Sequence, residues 1–262
     1  MKKSLESPEQ KSKLVLLDVD GTLLHDSPDE ISGRLFWIAV KKGIIHPSSG
    51  NLKSLERRRE HYGQAIGEER QNYLEPLIHE FDRNLHGKSV KAMGDLAAKL
   101  VAHDIDHFLY QEMDSEIRDW RHEGATFGII SGSPSFYIEP LGKRLRCFDA
   151  KGTEHSHDGN TYHNSTPKSR AKDKHLAAEE MLERLSQQTG RPAELVAAYG
   201  DTVNDQSMLE LAVEMGGEAV AVNPKNGLAQ VAIENNWRVI RSQTLDNVRP
   251  VHHNRHHLPR IW

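Results

Sequence analysis

The sequence predicts an α/β fold: a central parallel sheet with helical crossovers, and a helical segment inserted after the first strand. Three observations predict it. Short continuous apolar runs recur along the 262 residues, at Leu14-Val15-Leu16-Leu17, Thr126-Phe127-Gly128-Ile129-Ile130, Leu195-Val196-Ala197-Ala198-Tyr199 and Ala219-Val220-Ala221-Val222. Such runs suit strands buried on both faces, as in a parallel sheet. Amphipathic helical stretches separate the later runs, the alternation that builds crossovers. Residues 25–110 show helical periodicity and no strand pattern.

Taken in order, residues 1–12 are polar and read as a loose arm. The first strand ends in Asp18-Val19-Asp20-Gly21-Thr22, which places carboxylates where open α/β sheets carry their sites. Ser27-Pro28-Asp29-Glu30 reads as a helix start, with Ser27 as N-cap, Pro28 at the first position and Glu30 closing a capping box. Gly43 ends that helix. Residues 52–62 are heavily charged; Arg57-Arg58-Arg59 reads as a solvated helix face, with an anion-binding stripe as the alternative. Helical pattern continues through Leu74, Leu77, Ile78 and Phe81, and again from Val90 to Val101. Ile117 and Trp120 share a helix that Gly124 closes. The second strand leads into Ser131-Gly132-Ser133-Pro134, read as opening a helix, and residues 149–167 read as a short hairpin or loop. Residues 171–187 form an amphipathic helix, and Arg238-Val239-Ile240 offers a last strand.

Composition narrows the function. Apolar residues make up 37% and charged residues 27%. No apolar run approaches the ~20 residues needed to span a bilayer. With 34 basic and 38 acidic side chains the net charge is -4, which gives no support to a nucleic-acid binder. A single cysteine, Cys147, excludes an internal disulfide and a cysteine-based zinc site. The N-terminus has two lysines and no apolar stretch behind them, unlike a secretory signal. The expectation is a soluble, cytoplasmic protein.

Two strand ends carry the chemistry. Asp18 and Asp20 follow the first strand, and Gly200-Asp201-Thr202-Val203-Asn204-Asp205 follows the run at 195–199. In a parallel sheet both ends open on one edge, so four carboxylates can converge. Close carboxylates repel unless a cation or proton separates their roles. An all-oxygen set suits Mg²⁺, without excluding Mn²⁺. Facing it, the Ser131 hydroxyl and the N–H groups of Gly132 and Ser133 could hold an anion, and a lysine near the start of the 171–187 helix would add a positive charge.

These residues strongly resemble the haloacid dehalogenase-like (HAD) phosphohydrolase superfamily. Its D-x-D-G-T motif stands as Asp18 to Thr22, its strand-end serine as Ser131, and its G-D-x-x-x-D motif as Gly200 to Asp205, in the family's order. Ser131-Gly132-Ser133-Pro134, Asp205-Gln206-Ser207-Met208-Leu209 and Ala221-Val222-Asn223-Pro224 look like the phosphoserine phosphatase subfamily. The resemblance implies a Rossmann-like three-layer core over 13–24 and 111–248, a type 1 helical cap over 25–110, and a C-terminal tail over 249–262. It implies a Mg²⁺-dependent phosphatase acting on a small phosphorylated metabolite. Asp18 would be the nucleophile and Asp20 the proton donor and acceptor. Asp18, the Asp20 carbonyl and Asp201 would hold the metal, with Asp205 orienting that site. Ser131, Gly132 and Asn204 would bind phosphate or substrate. Lys168, Lys172 and Lys174 all lie in the region of the phosphate lysine; Lys172 is preferred, because Leu176 then starts the apolar face.

A phosphotransferase using the same aspartyl-phosphate, or a catalytically weak regulatory protein, are the alternatives. Glu30 reads as a capping residue, with contact to a substrate amine as the other option. His155, His157 and His163, and His252 to His257, read as exposed polar segments. Cys147 reads as structural.

Overall fold

The computed structural model describes residues 11–26, 29–63, 65, 68–163 and 173–242. In chain order they form β1 (Ser12–Leu17), α1 (Ile31–Lys41), α2 (Ser49–Tyr62), α3 (Glu68–Leu85), α4 (Val90–Phe108), α5 (Gln111–His122), β2 (Thr126–Pro134), α6 (Ser135–Arg144), β3 (Asp149–Thr153), α7 (Lys174–Thr189), β4 (Ala193–Gly200), α8 (Gln206–Glu214), β5 (Glu218–Val222), α9 (Asn226–Glu234) and β6 (Arg238–Ile240). A 3₁₀ turn, Val203–Asp205, links β4 to α8.

The strands make one sheet in the order β3-β2-β1-β4-β5-β6, and every pairing is parallel. β1 is therefore central. The chain moves outward from it to one side through β2 and β3, and to the other through β4, β5 and β6. Sites in such sheets lie beyond the carboxyl ends of strands where the order reverses, here between β1 and β4. Leu17 sits level with Ile129 of β2 and Tyr199 of β4, so β1 and β4 end side by side while β2 runs on to Pro134.

Alternation along β1 divides the core. Val15 and Leu17 join one apolar cluster, which runs on without a break into Leu35, Phe36, Tyr73, Phe81 and Leu100 of the inserted helices. Leu14 and Leu16 face the other cluster, with Met181, Leu185, Met208 and Leu228 of the crossover helices. Successive strand residues point to opposite faces, so a fully apolar run is what a two-sided sheet requires.

The inserted helices leave and return through a narrow contact. Leu24 and Leu109 form an antiparallel bridge. The His25 N–H donates to the Phe108 carbonyl at 2.8 Å, and the Tyr110 N–H to that of Leu23 at 3.2 Å. Among the described residues no helix is long and apolar enough to cross a membrane.

Several local expectations change. Ser27 and Pro28 lie outside the described residues, but α1 starts at Ile31 with Glu30 as its N-cap and no side-chain cap. The Ile31 N–H donates instead to Asp20 Oδ1 at 2.8 Å, so the cap comes from the D-x-D-G-T loop. Ser131 to Pro134 continue β2 and do not open the helix, which begins at Ser135. Asp149–Thr153 is an edge strand paired with β2, where a loop or hairpin was expected; its neighbour supplies the ladder that its Gly- and Lys-containing sequence does not advertise. Arg59 donates to both Asp29 carboxylate oxygens, and Arg58 to the Asn72 carbonyl at 2.7 Å. Arg58 thus ties α2 to α3 and Arg59 ties α2 to the loop before α1, so these two form no anion stripe, while Arg57 is exposed. His155 is buried and hydrogen-bonded to Asp82 at 2.9 Å, so it is not an exposed loop histidine. Cys147 is pushed up to about 12 by burial, in keeping with a structural thiol. The expected tail, residues 249–262, lies outside the described residues, as do positions 1–10 of the arm.

Candidate active site

A cavity of about 450 Å³ opens at the carboxyl ends of β1, β2 and β4. Its floor holds Asp18, Asp20, Ser131, Lys174, Asp201 and Lys225. Glu30, Ser32, Gln71 and Ile78 line it from the helical side.

Asp18 is the first residue beyond β1, and its N–H donates to the Tyr199 carbonyl at 3.0 Å. Its carboxylate Oδ1 accepts from Lys174 Nζ at 2.5 Å, and the same ammonium lies 2.5 Å from Asp205 Oδ1. Lys174 is 4% exposed, so this triad is dry. Asp205 uses its other oxygen on its own loop: Oδ2 accepts from the N–H groups of Asp201 at 3.0 Å and Thr202 at 2.9 Å. The close turn needs Gly200, since a Cβ there would lie 2.3 Å from the Asp205 Cβ. Gly21 sits at φ +83°, where a Cβ would come within 2.1 Å of Asp201 Oδ2.

Asp20 faces away from this triad. Oδ1 accepts the Ile31 N–H, and Oδ2 accepts the Ser133 hydroxyl at 2.7 Å. The Ser133 N–H donates to Ser131 Oγ at 3.1 Å, so it is engaged within the loop and is not one of the anion donors expected of it. Thr153 Oγ1 donates to the Gly132 carbonyl at 2.5 Å and pins that loop to β3. Asn204 lines the cavity from the 3₁₀ turn and is exposed.

Burial raises Asp18 to about 7 against the pull of Lys174, with Asp205 and Asp20 adding to the rise. Burial likewise lifts Asp201, against Lys225, and Asp20, against Arg34 and the Ser133 hydroxyl. For Asp205 burial also pushes upward, but the Lys174 ammonium outweighs it and holds the carboxyl low. Glu30 is raised to about 7 by burial and then by Asp20.

One lysine expectation moves. Lys168 and Lys172 lie outside the described residues, and among the described residues the ammonium that bridges Asp18 and Asp205 is that of Lys174. α7 starts at Lys174 with Asp173 as its N-cap, the Asp173 carboxylate accepting the Leu176 N–H at 3.1 Å. The first turn thus begins two residues later than the Lys172 register, and Leu176 is an exposed residue, not the start of the apolar face.

Sequence reasoning passed over Lys225. Its ammonium lies 2.6 Å from Asp201 Oδ2 and 2.5 Å from Asp26 Oδ2. The signal was available, because Asn223-Pro224-Lys225 follows β5 at the same sheet edge as the aspartates. Asp26, Arg34 and Arg70 had no comparable signal.

Carboxylate oxygens of Asp18, Asp201 and Asp205 lie within 4.8 Å of one another, all buried. Asp201 Oδ2 is buried, with the Lys225 ammonium 2.6 Å from it. Three buried carboxylates converging this closely make an all-oxygen donor set that fits a divalent cation. With both Asp205 oxygens already engaged, Asp18 and Asp201 are the carboxylates best placed to hold one.

The model of the family described as haloacid dehalogenase-like hydrolase matches residues 15–210. Protein CicA of Caulobacter vibrioides is 35% identical over a stretch covering 38% of this chain; the chain spans 43% of that relative's length. Among solved structures, a Bordetella pertussis protein of unknown function superposes with a TM-score of 0.65 at 19% identity, over 88% of this chain and 99% of that one. A phosphoserine phosphatase with an analogue of its phospho-aspartyl intermediate gives 0.55 at 18% identity, over 91% and 98%. At these identities the likeness is one of fold.

Proposed function

The chain belongs to the haloacid dehalogenase-like hydrolase family, and from that premise we propose that it hydrolyses a small phosphomonoester through an aspartyl-phosphate on Asp18. One observation carries this reading. Asp18, Asp20, Lys174 and Ser131 line the same cavity, with the two aspartates in different surroundings.

An Asp18 oxygen attacks phosphorus and the bond to the leaving oxygen breaks. Asp20 gives that oxygen its proton; burial raises its affinity for one, as an acid at neutral pH requires. The Ser133 hydroxyl and the Ile31 N–H fix the Asp20 carboxyl in place. Asp20 then takes a proton from the water that attacks the phosphoryl group, and Asp18 is released. The Lys174 ammonium offsets charge on Asp18 and on the transferring group. Asp205 positions Lys174 and the Asp201 loop. Ser131, the Gly132 backbone and Asn204 hold phosphate and substrate. A divalent cation, Mg²⁺ in this reading, would be held by Asp18, Asp201 and the Asp20 carbonyl, and would supply neutralisation of phosphate charge. Residues 25–110 serve as a cap over the core formed by 13–24 and 111–248, limiting the substrate to a small molecule.

The test is rapid mixing with an aryl phosphate and Mg²⁺. The native protein is expected to turn over and to lose activity in excess chelator. Asp18→Asn is expected to give no turnover and no phosphoryl adduct. Asp20→Asn is expected to release about one equivalent of phenol and then hydrolyse ~10²–10⁴-fold more slowly. An adduct mapping elsewhere than Asp18 would refute the assignment.

A further inference from the structure

Three cations approach the cavity from the inserted helices and the β5 loop, and each is taken up by groups of the protein itself. Arg70, on α3, donates Nη1 to Asp26 Oδ2 at 2.7 Å and Nη2 to the Asp26 carbonyl. Lys225 reaches the same Asp26 oxygen at 2.5 Å. Arg34, on α1, donates to the His25 and Asp29 carbonyls at 3.0 and 3.1 Å and pairs with Asp104 at 3.1 Å. Asp26 is 6% exposed, and the Lys225 and Arg70 charges outweigh its burial to hold it at about 2. It is an internal anion held between two cations.

The helical wall of the cavity consequently offers a selective surface. Among the described residues it presents Glu30, Ser32, Gln71 and Ile78, and no basic side chain. A substrate carboxylate against this wall would lose its water and meet the Glu30 carboxyl without a counter-ion. Recruiting Arg70 to it would leave Asp26 buried with half its pairing. An ammonium or hydroxyl on the substrate meets no such penalty, and Glu30 can accept from either.

We propose that Asp26 is a specificity-determining residue: by occupying Arg70 and Lys225 it excludes a second anionic group, so that the preferred substrates are phosphomonoesters of amino or hydroxy alcohols that carry no carboxylate. This rests on the phosphatase reading above and deepens it.

The experiment compares kcat/KM for O-phosphoethanolamine, O-phosphoserine and propyl phosphate, with an aryl phosphate as reference. Phosphoethanolamine and phosphoserine differ only by the carboxylate. The native protein is expected to favour phosphoethanolamine by about tenfold or more, the scale of one unpaired charged group. Asp26→Asn keeps the shape but removes the negative charge between the two cations, while Lys225 stays on Asp201 and Arg70 on the residue-26 carbonyl, and is expected to raise the phosphoserine-to-phosphoethanolamine ratio by about tenfold. Adding Arg70→Met to Asp26→Asn is expected to cancel that rise. Glu30→Gln is expected to bring phosphoethanolamine toward propyl phosphate. Phosphoserine equal to or better than phosphoethanolamine in the native protein would overturn the proposal, whatever the variants do. So would an Asp26→Asn protein that turns over with an unchanged ratio. If the aryl phosphate itself is not hydrolysed, the phosphatase reading falls and this one with it; aryl turnover with phosphoserine preferred removes only this one.

Discussion

On the sheet side of the cavity, Asp18, Asp201 and Asp205 stand just beyond β1 and β4, and the backbone brings them together. On the helical side, Asp26, Glu30, Arg34 and Arg70 come from a strand-end loop and two helices, and side-chain pairing brings them together. The sheet side depends on topology: once β1 and β4 are neighbours, residues at their ends must meet. The helical side depends on which charge finds which, and Arg34 on Asp104 or Arg70 on Asp26 follows from packing angles that no spacing rule encodes. The two sides thus answer differently to substitution. One should lose chemistry, the other stability or selectivity.

The largest expected effect tests the sheet side. Lys174→Ala should lower kcat/KM on an aryl phosphate by about 10³, the upper range for one electrostatic partner of a developing charge. Lys168→Ala and Lys172→Ala should stay within a few fold of the native rate. Should Lys172→Ala be the dead variant, α7 begins earlier in the working enzyme and the Lys174 assignment fails.

That lysine also marks how far the sequence could be read. The parallel sheet and the meeting of Asp18 with Asp201 and Asp205 followed from apolar runs with carboxylates at their ends, whereas Asp20, expected to converge with them, turns its carboxylate to Ile31 and Ser133. A helix start is softer. Asp173 as N-cap and Lys172 on a first turn compete within two residues, and only the cap geometry separates them. β3 was missed because an edge strand of Asp-Ala-Lys-Gly-Thr has no apolar run; its pairing with β2 makes it a strand. His155 was misjudged because its partner, Asp82, is 73 residues away. Long-range pairs of this kind dominate the helical side, and that is why its roles had no motif.

The next effect tests the helical side. Arg34→Met should leave Asp104, which is fully buried, facing Tyr137 and His103 without its guanidinium. Breaking a buried pair from one side costs about 3 kcal/mol at the low end, read as a shift of the urea midpoint at unchanged slope. The double variant Arg34→Met/Asp104→Leu should recover most of that loss, because no charge is then stranded. If the single variant is as stable as the native protein, the helical pairs are not what holds that side together.

The smallest effect separates the two sides in one titration. Asp18, on the sheet side, and Glu30, on the helical side, both stand at about 7 in the folded protein, well above their ordinary 3.8 and 4.5. A folded-state pKa raised above the unfolded one means that the folded protein holds the proton more tightly. The stability from each group is complete below its unfolded value and is lost as pH rises through about 7. Asp26, held at about 2, acts only below its ordinary 3.8 and is silent in this range. Metal-free protein in chelator should therefore gain stability as pH falls from 7 to 6, by about 1 kcal/mol for each group. Asp18→Asn should remove its share of the slope and Glu30→Gln the other. A divalent cation favours the charged form of Asp18, so adding it should abolish the Asp18 share and leave that of Glu30, which lies on the helical wall. Thermal melts at half-unit steps, with and without Mg²⁺, read the difference. Because the chain's 16 histidines also titrate in this range, the variants are read against the native slope: a slope in chelator left unchanged by both Asp18→Asn and Glu30→Gln would show that neither carboxyl takes up a proton between pH 7 and pH 6.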